Sequence, residues 1–420
     1  MRVSLLSTFD LAGGAARAAY RLHAGLLRLG VESTMRVRHR KSGEVSVRGG
    51  PAGGEVVGRW HGAVELGYRA RWKWQRRGLP AEIDYVSSPR SASSRALAEG
   101  LTGVDVVNLH WVADWLDWGS FFRHLPGGSS GGPALVWTLH DMNPLVGALH
   151  YQGTPLGVGP AVPGGWEGRS RAWLKRKVAA LASVPADRLT VVSPSRWLAV
   201  EAEASPTLGR FPVEVIPYGL DVEAYRPRDR ALAREALGVP ESAPVVAFVS
   251  GALSSVRKGG AVLREAMDRL RARMPELVLL SAGWGDAWGP GHRHLGQLQD
   301  DRLLSLLYSA ADVFVIPSQQ DNLPNTVLEA MACGTPVVGF AVGGIPDMVR
   351  PGQTGRLAEY GDVEGMAEML AGLLGDEAGR AEMGRRAREV AESEYPLALQ
   401  AERYLELFKQ SAQRWSAASR

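Results

Sequence analysis

The chain has 420 residues, 45% hydrophobic and 22% charged, with a formal net charge of +4 and a single cysteine, Cys333. This length exceeds one ordinary core and fits two domains of about 200 residues each, while the lone cysteine excludes an internal disulfide framework or cysteine-based metal cluster and suits a reducing cytoplasm. No uninterrupted apolar run reaches the roughly 18 residues of a membrane-spanning helix, and the modest positive excess favours phosphates or headgroups without indicating nucleic acid.

Arg2–Ser7 is short and apolar, followed by the turn-forming pair Gly13–Gly14 and a helical pattern over Ala15–Leu29. Met1–Phe9 lacks the long apolar core and small-residue cleavage site of a secretory signal, so it reads as a first buried strand. Strand, glycine turn and helix in succession open a doubly wound α/β fold. The segment Arg71-Trp72-Lys73-Trp74-Gln75-Arg76-Arg77 mixes cations with tryptophans. It reads either as a peripheral contact with an anionic membrane surface or as a helix with a solvated face and two core-facing rings. Val104–Leu109 and Ala134–Leu139 are buried-strand candidates, followed by His110–Trp111 and His140–Asp141. Leu189–Val192 repeats the pattern and ends at Ser193–Pro194. Ligands bind beyond the carboxyl ends of such strands. The glycine-rich stretches Gly127–Gly132 and Gly153–Gly168 read as surface loops. A turn-like stretch, Phe211–Pro227, separates two halves, giving domains over 1–212 and 222–397.

The second half restarts with a strand at Val245–Ser250, the stretch Gly251–Gly260 and a helix over Ala261–Arg273. Strands at Leu277–Ala282, Val313–Ile316 and Val337–Phe340 alternate with helical patterns at Asp301–Ala310, Asn325–Cys333, Val363–Leu374 and Glu377–Ser393. The closing segment Leu397–Trp415 is also helical. No short internal repeat relates the halves.

The stretch Asp312–Val349 carries the most chemistry. Val313–Ile316 leads into Pro317–Ser318, then Asp321-Asn322-Leu323-Pro324, then a helix that Gly334 ends, since glycine adopts the left-handed conformation at low cost. A helix N-terminus presents unpaired N–H groups and partial positive charge, so Leu323, Pro324, Asn325 and Thr326 form a diphosphate cradle. Asp321 stands in the loop, where it can accept from sugar hydroxyls, and Glu329 lies where a carboxylate can take both hydroxyls of a ribose. Taken singly, Glu329 also reads as a helix-surface acid and Asp321 as a turn residue.

Together these residues resemble a known family. Asp321-x7-Glu329, continuing as Leu328-Glu329-Ala330-Met331-Ala332-Cys333-Gly334-Thr335-Pro336-Val337-Val338 and then Gly343–Gly344, resembles the signature of retaining glycosyltransferase family 4. The resemblance implies the GT-B fold: two Rossmann-like doubly wound α/β domains facing across a cleft, with the C-terminal helix 398–420 crossing back to the first. The family's first acid is usually Glu; here it is Asp321, one methylene shorter. The string Asp321-Asn322-Leu323-Pro324-Asn325-Thr326 is similar to the colanic-acid-type exopolysaccharide transferase subgroup.

Other positions carry the resemblance further. Arg257-Lys258-Gly259 resembles the basic diphosphate clamp, whose charges stabilise the departing diphosphate; an earlier Gly-Arg of that loop is Gly251-Ala252 here. His294-Leu295-Gly296 resembles the segment that holds the nucleobase through backbone groups, without revealing which base. Gly13-Gly14 resembles the glycine loop beside the transferred sugar, and His140 in Thr138-Leu139-His140-Asp141-Met142 the histidine that contacts the donor sugar. Asn108-Leu109-His110-Trp111, together with Asp141, falls on the acceptor side. Gly147-Ala148-Leu149-His150-Tyr151 resembles a subgroup stretch that commonly has cysteine where Leu149 stands.

The resemblance implies hexose transfer from a UDP- or GDP-linked donor, with retention, to a glycan, lipid-linked or small-molecule acceptor. The nucleotide-sugar is a substrate, and no further cofactor is expected. The chain has no Asp-x-Asp motif, so no essential metal is expected either. The expected location is the cytoplasm, or the inner face of the plasma membrane. Two alternatives stay open: an epimerase or hydrolase of the same fold, and a non-catalytic sugar-nucleotide-binding subunit.

Overall fold

The structure, a computed structural model, describes residues 1–50, 67, 70, 74, 79, 83, 85–91, 94–127, 131–151 and 164–419. The chain divides into two compact units. The first comprises Met1–Gly153, Val158–Pro217 and Gln400–Arg420, and the second runs over Tyr218–Leu399.

In the first unit, β1 (Arg2–Phe9), β2 (Glu32–His39), β3 (Val47–Gly49), β4 (Val106–Leu109), β5 (Ala134–Thr138), β6 (Leu189–Ser193) and β7 (Val213–Val215) form one parallel sheet in the order β3-β2-β1-β4-β5-β6-β7. Val3 pairs with Ser33 on one side and Val106 on the other, so the strand order reverses at β1 and β4. Alternate residues feed two cores, as period-two geometry requires of a sheet covered on both faces. Leu6, Val107, Leu109, Leu135, Trp137 and Val191 pack with Trp118, Phe121, Leu198 and Ala202. Val3, Leu5, Val106, Val136 and Val192 face the other way, against Ala19, Leu22 and Leu26 of the helix Gly14–Arg28.

Spacing of three and four residues places those side chains on one stripe of that helix. The same core receives Tyr404, Phe408 and Trp415 of the C-terminal helix Leu397–Ala418. Tyr404 Oη lies 2.9 Å from Thr138 Oγ1, Ser411 Oγ 3.1 Å from Thr190 Oγ1, and Trp415 Nε1 donates to the Gly131 carbonyl at 2.9 Å. Polar groups thus fix the register of a helix whose burial is otherwise apolar.

In the second unit, β8 (Val245–Ala252), β9 (Val278–Trp284), β10 (His292–His294), β11 (Val313–Ile316), β12 (Val337–Phe340) and β13 (Gly355–Ala358) form a parallel sheet ordered β10-β9-β8-β11-β12-β13. Both units therefore repeat the doubly wound order, with switch points at β1/β4 and β8/β11. Asp312, buried just before β11, receives Arg230 at 2.5 Å and Arg234 at 3.0 Å, and accepts the Val245 N–H at 2.8 Å. A buried carboxylate needs this set of partners, and they lock the helix Arg230–Leu237 to the start of β8.

Most strands expected from sequence lie within two residues of the observed ones. Two expectations are corrected. Phe211–Pro227 is not only a turn, because β7 lies inside it and pairs with β6. Gly153–Gly168 is not loop throughout, because the helix Gly164–Leu181 begins within it; residues 152–163 lie outside the described ones. Strands β2, β3, β10 and β13 were not expected. β2 alternates buried and partly exposed residues and carries two arginines, which hides it among polar sequence. β3 and β10 have three residues each. Among the described residues no helix is long and apolar enough to cross a membrane.

Candidate functional site

The loops leaving β8 and β11, at the switch point of the second sheet, meet through side chains. Lys258 Nζ donates to Asp321 Oδ2 at 2.5 Å, and Arg257 Nη1 lies 3.9 Å from Asp321 Oδ1. Ser318 Oγ donates to Asp321 Oδ2 at 3.1 Å. Arg257 also ties the loops together: its guanidinium donates to the Gln320 carbonyl at 2.9 Å, and its own carbonyl accepts the Gln319 N–H at 2.7 Å. Burial alone would raise the Asp321 carboxyl, but Lys258, Arg257 and Ser318 outweigh it and hold the group below the usual carboxylate range.

Two glycines permit this approach. Gly259 has φ 75°, and a Cβ there would stand 1.9 Å from the Pro317 carbonyl oxygen. At Gly343, φ 54°, a Cβ would meet the Asp321 carbonyl oxygen at 1.9 Å, the same oxygen that accepts the Gly344 N–H at 3.1 Å. Any other residue would push the loops apart.

Asn322, Leu323 and Pro324 are buried, and Asn325 and Thr326 partly so, at the start of the helix Asn325–Ala332. Pro324 is its N-cap and supplies no side-chain cap, and the helix N-terminus carries a field of positive sign. The helix closes on Gly334 at φ 73°, with Thr335 N–H donating to Ala330 and Gly334 N–H to Met331, a Schellman end. Glu329 is 3% exposed, and its Oε2 accepts the Tyr308 hydroxyl at 3.0 Å. It is not a surface acid. Burial, then the neighbouring Glu329 charge, raises the Tyr308 hydroxyl well above its usual pKa, so tyrosine remains a donor to that carboxylate.

At the edge of this sheet, the Leu295 N–H donates to Ser281 at 2.9 Å and the Gly296 carbonyl accepts Gly283 N–H at 2.9 Å. Ser281 Oγ lies between His292 Nε2, at 2.7 Å, and His294 Nδ1, at 2.8 Å.

The first unit brings a second set together at the ends of β4 and β5. His110 Nδ1 lies 3.0 Å from His140 Nε2, a contact that requires one donor and one acceptor nitrogen. Burial lowers both rings, His110 well below the ordinary histidine value and His140 to about 4, so the pair is neutral at pH 7. Asp141 Oδ2 accepts Trp111 Nε1 at 2.7 Å and lies 2.5 Å from His150 Nδ1, while Oδ1 accepts the Asn143 N–H at 2.9 Å. Burial opposes ionisation of Asp141, and His150, Asn143 and Trp111 together hold it below the usual range.

His150 Nε2 in turn lies 2.7 Å from Ser87 Oγ. Acid, imidazole and hydroxyl in that order have the connectivity of a nucleophilic triad. Ser87, however, is 1% exposed and lies 3.4 Å from Asp114 Oδ2. The array therefore braces three loops and holds the Trp111 indole. Gly13 and Gly14 are exposed at the N-terminus of the helix Gly14–Arg28, with Gly13 at φ 88°.

The structure thus joins Arg257, Lys258 and Asp321 in one cluster, and His110, Trp111, His140 and Asp141 in another. Asp141 is spent on internal partners. Of Arg71–Arg77 only Trp74 is described, 60% exposed with the Arg169 guanidinium 5.4 Å from its ring; the rest of that segment lies outside the described residues. Sequence reasoning missed Lys177. Its ammonium, 0% exposed, donates to the carbonyls of Asn143, Val146 and Gly147 and to Asn143 Oδ1. The signal was present in the spacing Trp166, Trp173, Lys177 and Leu181, one buried stripe of a helix.

Residues 243–376 match the family model described as "Glycosyl transferases group 1". The chain is 36% identical over 178 residues to a D-inositol 3-phosphate glycosyltransferase of Mycobacterium avium (strain 104), an alignment covering 39% of this chain and 41% of the relative. It spans less than half the length of that relative. Among solved structures, sucrose-phosphate synthase from Thermosynechococcus elongatus superposes with a TM-score of 0.68 at 20% identity, covering 97% of this chain and 98% of that one. Anabaena HepE in complex with UDP-glucose gives 0.64 at 16% identity, covering 97% and 99%. The chain therefore has the GT-B fold of two Rossmann-like domains, and its second unit carries the segment that matches the group 1 glycosyltransferases.

Proposed function

We propose that the protein is a retaining glycosyltransferase that moves a hexose-type sugar from a UDP- or GDP-linked donor to an acceptor hydroxyl, in glycan or exopolysaccharide biosynthesis. The observation that carries this reading is the meeting of Arg257, Lys258, Ser318 and Asp321 beside the N-terminus of the helix Asn325–Ala332. It lies within the segment that matches group 1 glycosyltransferases. HepE, similar in fold, was crystallised with UDP-glucose, and the mycobacterial relative is itself named a glycosyltransferase.

In this reading the helix N-terminus and the two cations hold the diphosphate. The bond from the sugar's anomeric carbon to the phosphate oxygen breaks, and its electron pair leaves with the diphosphate. The acceptor oxygen bonds to that carbon on the same face, and its proton passes to the departing phosphate oxygen. Arg257 and Lys258 stabilise the charge that develops there. Asp321 orients the Lys258 ammonium and takes sugar hydroxyls, Glu329 takes the ribose, and His140 contacts the transferred sugar. The acceptor is a glycan, lipid-linked or small molecule, and the site is cytoplasmic, at the inner face of the plasma membrane when Arg71–Arg77 engages lipid. Positioning does most of the work, and no protein nucleophile is required.

The test is nucleotide release from UDP- and GDP-sugars in EDTA, with and without an acceptor panel, followed by NMR of the product's anomeric centre. Acceptor-dependent, EDTA-resistant release with retention is the expected result. Acceptor-independent turnover would shift the reading to an epimerase or hydrolase, and binding without turnover to a non-catalytic subunit.

A further inference from the structure

Three buried polar atoms on one face of the first sheet have no hydrogen-bond partner among the described residues: Ser7 Oγ, Asn108 Oδ1 and His110 Nε2. Ser7 and Asn108 are 0% exposed and His110 3%, so bulk solvent does not pair them. In the β1/β4 register Leu5 stands opposite Asn108 and Leu6 opposite Leu109, and Ser7 and His110 follow in the next row. Residues two apart on a strand share a face. All three side chains therefore lie on the side of Leu5 and Val106, the side that packs Tyr404 and Phe408.

Their neighbours show which way each atom points. Asn108 Nδ2 donates to the Val136 carbonyl at 3.2 Å and to Thr138 Oγ1 at 3.0 Å, and Thr138 Oγ1 lies 2.9 Å from Tyr404 Oη. A carbonyl partner identifies Nδ2 as the amino group, so Oδ1 can only accept. Both bonds run toward β5, and the other branch of the amide turns back toward β1, on the opposite flank of β4. His110 repeats this arrangement. Its Nδ1 lies 3.0 Å from His140 Nε2, just past the end of β5, and its own Nε2 is on the far side of the ring. Ser7, on β1, closes the gap from the other flank. Each such atom left unpaired costs about 1–3 kcal/mol. Native structures pair nearly all of them, often through an internal water that makes about three hydrogen bonds.

We infer that one internal water bridges Ser7 Oγ, Asn108 Oδ1 and His110 Nε2, and that His110, so anchored, is a positioning residue that holds His140 in a single tautomer. The water donates one hydrogen to Asn108 Oδ1 and completes its hydrogen bonding with the Ser7 hydroxyl and His110 Nε2. With both its nitrogens engaged, the His110 ring cannot flip. Moving the hydrogen between Nδ1 and His140 Nε2 would require the whole relay to reverse. His140 therefore presents one orientation and one protonation pattern to its ligand. Its effect on transfer rests on the reading above, in which His140 contacts the transferred sugar.

Isotopic nitrogen labelling of the histidines, with long-range proton–nitrogen NMR spectra of the full chain, reads the tautomer without any donor. Wild-type His140 should show one protonated and one bare ring nitrogen, and His110→Leu should average the two. In His110→Leu, kcat for nucleotide release from a UDP- or GDP-sugar should fall about ten- to hundredfold, the cost of a misplaced group, with donor KM little changed. His110→Asn should recover much of that rate, because its amide stands where Nδ1 stood. His110→Gln, whose amide stands nearer the place of Nε2, should not. Ser7→Val puts a methyl where the water stands, so it should also average the His140 signals, and it reports if His110→Leu folds poorly. A high-resolution crystal structure should show the water within hydrogen-bond distance of all three atoms. Averaged His140 signals in the wild type, the same signals in Ser7→Val or His110→Leu as in the wild type, equal rates in His110→Asn and His110→Gln, or a dry gap would overturn the inference. Failure of the nucleotide-sugar reading is seen separately, as absence of turnover in a wild type whose His140 tautomer is single.

Discussion

Replacing Lys258 with alanine is expected to lower donor turnover by about two to three orders of magnitude, the usual cost of removing one charge-stabilising donor from a preorganised site. The Lys258 side chain is 23% exposed and its ammonium is already fixed by Asp321, so it needs no reorganisation as charge develops on the leaving diphosphate. The loss should fall on kcat, because the interaction strengthens in the transition state. Lys258→Arg should retain part of the rate, since a guanidinium keeps the charge with different geometry. The same change should reach Asp321. Its carboxyl is held low in the fold, so its stabilising contribution is present above the ordinary carboxylate pKa and is lost as pH falls through the lowered folded value. In Lys258→Ala the folded carboxyl titrates higher, so that acid-side loss should be smaller and end at higher pH. Steady-state kinetics of the variants, with denaturation between pH 3 and 7, checks both.

Lys177→Met should destabilise the first unit by about 3 kcal/mol or more, because four buried oxygens lose their donor while the methionine roughly conserves volume. These oxygens belong to Asn143, Val146 and Gly147, in the loop that also carries Asp141 and His150. Amide hydrogen exchange across residues 141–150 should therefore accelerate more than exchange in the second unit. Burial lowers the Lys177 ammonium to about 7, with Asp141 and Asp114 partly opposing. An amine pKa depressed on folding makes the wild type gain stability as pH rises from about 7 towards about 10.4, and the methionine variant should lack that rise. Denaturant unfolding across that range, read by a probe in the first unit, is the check.

How much of this was legible in the sequence depended on distance along the chain. Strand, glycine and helix at Arg2–Arg28 and at Val245–Arg271 are local signals, and the structure has both. The helix stop at Gly334 was also local. The Lys258–Asp321 pair spans 63 residues, and no periodicity links those positions; only the sheet order, with β11 beside β8, brings them together. Gly343 enters the sequence reading only as part of the Gly343–Gly344 signature pair, yet its position is dictated by the Asp321 carbonyl that crowds it. Asp141 was placed on the acceptor side through the family resemblance. Its oxygens are instead taken by Trp111, His150 and Asn143, which come from two other segments and a turn. Lys177 escaped notice because a lysine inside a cationic helix reads as solvated surface until its carbonyl partners are seen.

The central claim is that the second unit binds a nucleotide-sugar through the cluster at β8, β11 and the helix Asn325–Ala332. Its most direct test is titration of UDP-, GDP- and ADP-sugars into the wild type beside Glu329→Ala and Glu329→Gln. One donor class should bind, with affinity falling about ten- to hundredfold in both variants, the cost of losing hydrogen bonds to a charged acceptor. Binding of no sugar nucleotide, or equal affinity in all three proteins, would contradict the account.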